Sequence, residues 1–351
     1  MSLPDTLHAG GRAIANGLPT YVIAEVGSNH NRDPDVARRL IDVAVEAGAD
    51  AVKFQTYSGD RIYSRRARSA WLEEISPGKT PTQLLEEISL PRAWQAELAQ
   101  YAAERGIDWF SSPFDHEAVD ELAEIGVPLL KIASGEIVDL PLIRRAAATG
   151  IPLIISTGMA TMAEIDDALT AAAGAGAREV GLMQCASVYP APVERTNLRS
   201  MDTLHAAFGV PSGLSDHTTG IAVATAAAGL GAAFVEKHFT LDRTMVGPDH
   251  AFAIEPEELT AMVAGIRDAQ LALGNGLKEG PSPEEREENY DLSRRSLIVV
   301  RDLPAGTVIE PDMLTVKRPG TGIAPKYLEI VTGRTLQADV EADDVLTWQM
   351  V

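Results

Sequence analysis

Two histidines, His217 and His238, and two lysines, Lys53 and Lys131, have the greatest chemical reach in this 351-residue chain. Each histidine closes an apolar run, in PSGLSDH and in FVEKHFT, where a strand gives way to a loop. If those runs are neighbouring parallel strands, alternation turns Ser215 with His217 and Glu236 with His238 to one side, and Lys237 to the other. Two imidazoles converging on one rim make half of a metal site. Two unrelated polar strand ends are the plainer alternative, because so long a spacing carries little information alone. Lys53 and Lys131 lie inside AVKFQTY and LLKIAS. Lysine within a parallel strand is costly to desolvate unless it meets an anion. Ser134, Ser156 and Ser215 are fitting donors to a carboxylate or phosphate. For either lysine alone, an ion pair with a barrel glutamate such as Glu236 fits as well. Glu25, Gln55, Ser187 and Tyr189 stand on or just beyond other strand ends, and Asp249 lies in VGPDHAF after the last run.

The elements that must carry these groups alternate in type from residue 20 to about 275. Short β-rich runs are predicted at 21–27, 51–57, 108–114, 129–134, 152–158, 180–186, 211–217 and 234–240. Amphipathic helical patterns separate them, such as DPDVARRLIDVAVEAGA with Asp33 as cap and Pro34 in the first turn, and a buried helix over 219–230. Eight β/α units in a run of this length predict a TIM barrel, with functional groups at the carboxyl ends of its strands. No G-x-G-x-x-G follows the first strand, which disfavours a dinucleotide-binding sheet. The glycine-, proline- and charge-rich segment GNGLKEGPSPEEREEN then reads as a linker, and the texture beyond it changes to short strands and turns. The expected division is therefore a barrel over 1–275, a linker over 276–290 and a small β-rich domain over 291–351.

Composition narrows the partners. The net charge of −20 argues against nucleic acid, whose phosphates need a basic surface. The same acidity makes clustered lysines more informative. A single cysteine, Cys185, excludes an intramolecular disulfide and suits a reducing, cytoplasmic setting. Inside its apolar strand it reads as a small buried hydrophobe. The start of the chain has no secretory pattern, and the apolar stretch 221–235 is too short for a bilayer.

With those positions assembled, the chain resembles the sialic acid synthase family, including the legionaminic, pseudaminic and spore-coat polysaccharide relatives. The shared motifs are IAEVGSNHN, ADAVKFQTY, SSPFD, KIASGE, ISTGMA, YPAP, GLSDHT, EKHFTLD and GPDH, and then VKRPGTG in the small domain. The resemblance implies a TIM barrel followed by an antifreeze-like (SAF) domain, in a domain-swapped homodimer where the small domain caps the partner's barrel. It implies condensation of phosphoenolpyruvate with the open-chain aldehyde of an N-acyl hexosamine, giving a nine-carbon 2-keto acid and phosphate. His217 and His238 are then the ligands of a divalent ion, manganese or magnesium. Lys53, Gln55, Lys131, Ser134, Ser156 and Ser215 are the phosphoenolpyruvate contacts. Glu25, Tyr189 and Asp249 hold the sugar, and Glu25 is also placed to orient or deprotonate water. Arg318 reaches the acylamino group from the capping domain.

Departures from the family pattern bear on the acceptor. Ser187 stands where these synthases carry an asparagine that contacts phosphoenolpyruvate, and Lys79 falls roughly at a sugar-binding asparagine. N-acetylmannosamine and a diacetamido hexose both remain open as acceptors. A synthase for a phosphorylated sugar would need more basic residues at the rim, for which Arg61, Arg65 and Arg66 are the visible cluster. A non-catalytic sugar-binding protein is the third alternative, opposed by the intact lysines and histidines.

Overall fold

The computed structural model describes residues 3–67 and 78–351. It divides into two compact units, Met1–Gly274 and Asn275–Val351. In the first, two short strands precede a closed barrel: β1 (Leu7–Ala9) and β2 (Arg12–Ile14) pair as an antiparallel hairpin. The barrel strands are β3 (Tyr21–Glu25), β4 (Ala51–Thr56), β5 (Asp108–Pro113) and β6 (Leu130–Ile132), followed by β7 (Leu153–Ser156), β8 (Val180–Cys185), β9 (Ser212–Asp216) and β10 (Phe234–His238). They run in parallel, in chain order, and β10 closes back onto β3. All eight predicted runs are therefore strands of a TIM barrel. The helices between them follow the expected chemistry. Asp33 accepts hydrogen bonds from the N–H groups of Asp35 and Val36 and caps the helix Pro34–Glu46. The helix predicted over 219–230 is shorter, Ala222–Gly229, because Gly220 at φ +72° holds the preceding turn in a left-handed conformation.

Inside the barrel the side chains change character along the axis. At the amino ends, Phe234 is fully buried and needs glycine beside it. A Cβ on Gly213 would lie 2.2 Å from the Phe234 carbonyl oxygen, and one on Gly181 would lie 2.5 Å from its ring. Toward the carboxyl ends the interior becomes polar, with Glu25, Lys53, Lys131, Ser215 and Glu236 all buried.

The β1–β2 hairpin crosses the amino-terminal mouth of the barrel. Its Leu7 and Ile14 are fully buried in the barrel core. Its flanks tie to strand starts: the His8 N–H donates to Glu179, Arg12 pairs with Asp50, and Asn16 donates to the Ser212 carbonyl at 3.0 Å and accepts from its N–H at 2.9 Å. Gly10 turns the hairpin at φ +53°, directly against Asp108, where a side chain would collide with the carboxylate. Sequence pattern missed this hairpin because its strands are only three residues long.

The second unit has its own small core, in which Leu297, Val299, Ile309, Ile323, Leu336 and Leu346 are buried together. Its β11 (Ser296–Val299) and β12 (Leu314–Lys317) pair antiparallel. The segment read as a linker contains helical turns over 283–293, begun by a capping box in which Ser282 and Glu285 satisfy each other's backbone N–H groups. Among the described residues, no helix is long and apolar enough to cross a membrane.

The packing of Phe234 gives a direct test. Gly213→Ala forces a methyl group against the Phe234 backbone. It should destabilise the protein by about 1–3 kcal/mol, read as a lower urea midpoint, whereas the same change at exposed Gly174, which meets nothing within 4 Å, should have little effect.

Candidate active site

Register brings the sequence candidates together. Glu25 is the partner of both His238 on β10 and Lys53 on β4, and Glu236 is the partner of Ser215 on β9. Alternation turns all of these side chains into the barrel and that of Lys237 to the outer face. The result is a buried charged layer. Lys53 Nζ lies 2.8 Å from Glu25 Oε2 and 3.7 Å from Glu236 Oε2. Lys131 Nζ donates to both Glu236 oxygens, at 3.0 and 3.2 Å. Ser215 Oγ donates to Glu236 Oε1 at 3.0 Å, and Gln55 Nε2 donates to Glu25 Oε1 at 2.7 Å. Each lysine therefore does pair with a barrel glutamate, as the plainer sequence alternative allowed. An anionic ligand would compete with those carboxylates for the same ammonium groups.

Environment separates the two glutamates. Burial pushes the Glu25 carboxyl up to about 7, against the pull of Lys53. Burial acts in the same direction on Glu236, but Lys131 and Lys53 outweigh it and hold that carboxyl well below the usual range. The imidazoles are held neutral. Burial pushes both His217 and His238 down to about 4, with the nearby His238 adding to the effect on His217. Their ring centroids are 5.6 Å apart. His217 Nδ1 lies 2.8 Å from the Ala186 carbonyl oxygen, so it carries the proton and leaves Nε2 with a lone pair. His238 Nδ1 is buried without a hydrogen-bond partner.

Above this layer opens a cleft of about 570 Å³, lined by Gln55, Ser187, Tyr189, His238 and Asp249 among others. The Tyr189 ring lies 4.3 Å from that of His217. Asp249 Oδ2 accepts from both the N–H and the hydroxyl of Ser28, each at 3.0 Å. The Ser187 hydroxyl is buried without a partner. Gly158 packs against it, and against Ser134, so closely that a Cβ would meet either side chain at 2.5 Å. Ser134 Oγ also lies 3.0 Å from Cys185 Sγ, so the cysteine is buried as expected but contacts a candidate ligand group. Ser156 is buried at the end of β7.

Lys79 pairs with Glu87 and does not line the cleft. Arg318 follows β12 in the second unit and is exposed there. Conversely, Glu136 lines the cleft, and burial raises its carboxyl to about 7. Its place just beyond β6 was visible in the sequence, but its desolvation was not. Gly27 also escaped notice. At φ +55° it lets the β3 loop approach Asp249 and His238, and a Cβ there would lie 2.6 Å from the Asp249 carboxylate.

Polar groups gathered at this end of a (β/α)8 barrel, beneath an open cleft, define an enzyme of the barrel class. The chain belongs to the NeuB family of sialic acid synthases: the family model matches residues 40–278, and a SAF domain model matches 294–351. It is 38% identical to an N,N'-diacetyllegionaminic acid synthase of Campylobacter jejuni, covering 93% of this chain and 98% of that one. It is 35% identical to the human N-acetylneuraminate-9-phosphate synthase, covering 97% and 95%. Among solved structures, an N-acetylneuraminic acid synthetase from Leptospira borgpetersenii, crystallised with citrate, superposes with a TM-score of 0.71 at 33% identity, covering 82% and 96%.

The raised Glu136 carboxyl has a measurable sign. Its folded value of about 7 exceeds the unfolded 4.5, so the folded state binds the extra proton between those values. The associated stability is present below pH 4.5 and is lost as pH rises through 7. Glu136→Gln should remove up to about 3 kcal/mol of that pH dependence, seen as a flatter urea midpoint between pH 4.5 and 7.5.

Proposed function

We propose that this protein condenses phosphoenolpyruvate with the open-chain form of an unphosphorylated N-acyl amino sugar, yielding a nine-carbon 2-keto acid and inorganic phosphate. The observation that carries this reading is the pair of buried ammonium groups, Lys53 and Lys131, seated beneath the cleft with the Ser215 hydroxyl beside them. Such seats suit a small, highly charged anion. Fixed cations there hold its carboxylate and phosphate and favour the departing phosphate. Ser134 and Ser156 add hydroxyl donors, and Gln55 joins this layer to the cleft.

In the condensation, carbon 3 of phosphoenolpyruvate forms the new bond to the aldehyde carbon, whose oxygen takes the electron pair and a proton. Carbon 2 is left cationic and accepts water. The carbon–oxygen bond to phosphate then breaks, giving the ketone. Glu25, raised to about 7, exchanges protons readily near neutrality and suits the group that orients and deprotonates that water. Asp249 and Tyr189, at the cleft wall, suit the sugar's hydroxyls.

His217 and His238 fit a divalent ion. Both are neutral; one has its tautomer fixed by a backbone carbonyl, and the other has a buried ring nitrogen without a partner. Among the described residues, no group of three or more His, Cys, Asp or Glu side chains gathers around them, which leaves positions for water and substrate oxygens. Manganese or magnesium suits such an oxygen-rich shell, and when bound would supply Lewis-acid polarisation of the aldehyde oxygen.

The cleft supports an unphosphorylated acceptor. No lysine or arginine is among its described lining residues, and Ile62, Tyr63, Leu84, Leu85 and Ile88 form one wall. Arg61 instead faces Glu117 at 3.7 Å. Apolar walls suit acetamido methyl groups, which favours a diacetamido hexose of the legionaminic type. The proposed assembly is a homodimer in which the SAF domain brings Arg318 to the partner's sugar.

Phosphate release should require both phosphoenolpyruvate and sugar in the presence of manganese, with a diacetamido hexose turned over faster than phosphorylated N-acetylmannosamine and the keto acid detected by mass. Release with the phosphorylated sugar alone would reverse the acceptor assignment. His217→Ala should lower kcat roughly a hundredfold or more. Truncation after Asn289 should raise the acceptor KM while sparing phosphoenolpyruvate binding; an unchanged acceptor KM would remove Arg318 from the site.

A further inference from the structure

Behind the histidines, on the outer face of the same strands, lies a buried ion pair that the reaction does not touch. Lys237 Nζ is 2.7 Å from Asp216 Oδ2, and it also donates to the Thr218 carbonyl oxygen. Asp216 Oδ1 accepts from the Thr218 N–H at 2.9 Å and from its hydroxyl at 2.8 Å. Lys237 and Asp216 are each 1% exposed, and Thr218 is fully buried.

The placement is specific. Asp216 and Lys237 are register partners on β9 and β10. Asp216 and Thr218 bracket His217, and Lys237 directly precedes His238. One ammonium group thus grips the chain on both sides of the first histidine and is joined by one peptide bond to the second. The histidine backbones have further anchors: the Ala191 N–H donates to the His217 carbonyl and the Ile254 N–H to that of His238. A core contact alone would not call for charge here, since apolar residues of similar volume stabilise buried positions as well as an ion pair does. Lys131 and Glu236, by contrast, face the interior, where a ligand would compete for them.

We infer that Lys237, Asp216 and Thr218 are positioning residues that set the spacing of the His217 and His238 imidazoles and thereby the affinity of the divalent ion. The inference rests on the metal reading of the histidine pair. The test is Mn²⁺ titration of chelator-stripped full-length protein, followed by the electron paramagnetic resonance signal of the free ion, with urea midpoints measured in parallel. Lys237→Met and Thr218→Val should each weaken Mn²⁺ binding, Lys237→Met by roughly 10–100-fold. In the Lys237→Met/Asp216→Asn double variant the unpaired charge is gone, so the urea midpoint should recover relative to Lys237→Met while the affinity stays low. A double variant that regains wild-type affinity along with stability overturns the inference. Should Lys237→Met not fold, Lys237→Arg and Thr218→Val decide, and unchanged affinity in both overturns it. His217→Ala separates the two readings. Wild-type protein that binds Mn²⁺ no better than His217→Ala removes the metal reading and this inference together, whereas tight wild-type binding matched by the positioning variants removes the inference alone.

Discussion

Two lysines and two glutamates share the interior of one barrel, and neither pair can be removed from water without the other. A buried charge that loses its partner costs several kcal/mol, so the four groups hold each other in register across β3, β4, β6 and β10. The rest of the barrel accommodates that layer. Below it the interior is apolar, with Phe234 set against glycines that give it room; above it, polar loops converge. The barrel is thus divided along its axis into a packed apolar half and a charged half beneath the cleft.

The same layer tunes its neighbours in opposite directions. Glu236 sits between two ammonium groups and remains ionised, while Glu25 faces one and is held near neutrality by burial. Two carboxylates only one strand apart are thereby suited to different work, one as a fixed counter-ion and the other as a group that exchanges protons. The imidazoles, at the edge of the layer and near its lysines, are kept uncharged, which is the state in which they can donate lone pairs.

Much of this was legible in the chain because barrel strands impose a period. Eight runs of six or seven residues, nearly all with polar groups near their ends, marked the strands to within a few residues, and alternation set Ser215 with His217 and Glu236 with His238 on one face and Lys237 on the other. What lay hidden was whatever depends on distance rather than period. The hairpin across the amino-terminal mouth is too short to show a pattern. The capping box at Ser282 is a local signal masked by the glycine and proline around it. Lys79 aligned loosely with a sugar contact but has an acidic neighbour of its own. Gly27 looked like any loop glycine until the approach of Asp249 and His238 gave it a purpose. The raised carboxyl of Glu136 follows from desolvation, which no linear pattern reports.

The hairpin at the amino-terminal mouth has a kinetic consequence. Leu7 and Ile14 fill that end with apolar packing, and the cleft lies at the opposite, carboxyl end of the strands. In the proposed reaction, phosphoenolpyruvate would approach Lys53 and Lys131 from that cleft. A sugar seated in the cleft would block that path, so in the proposed reaction phosphoenolpyruvate would bind first.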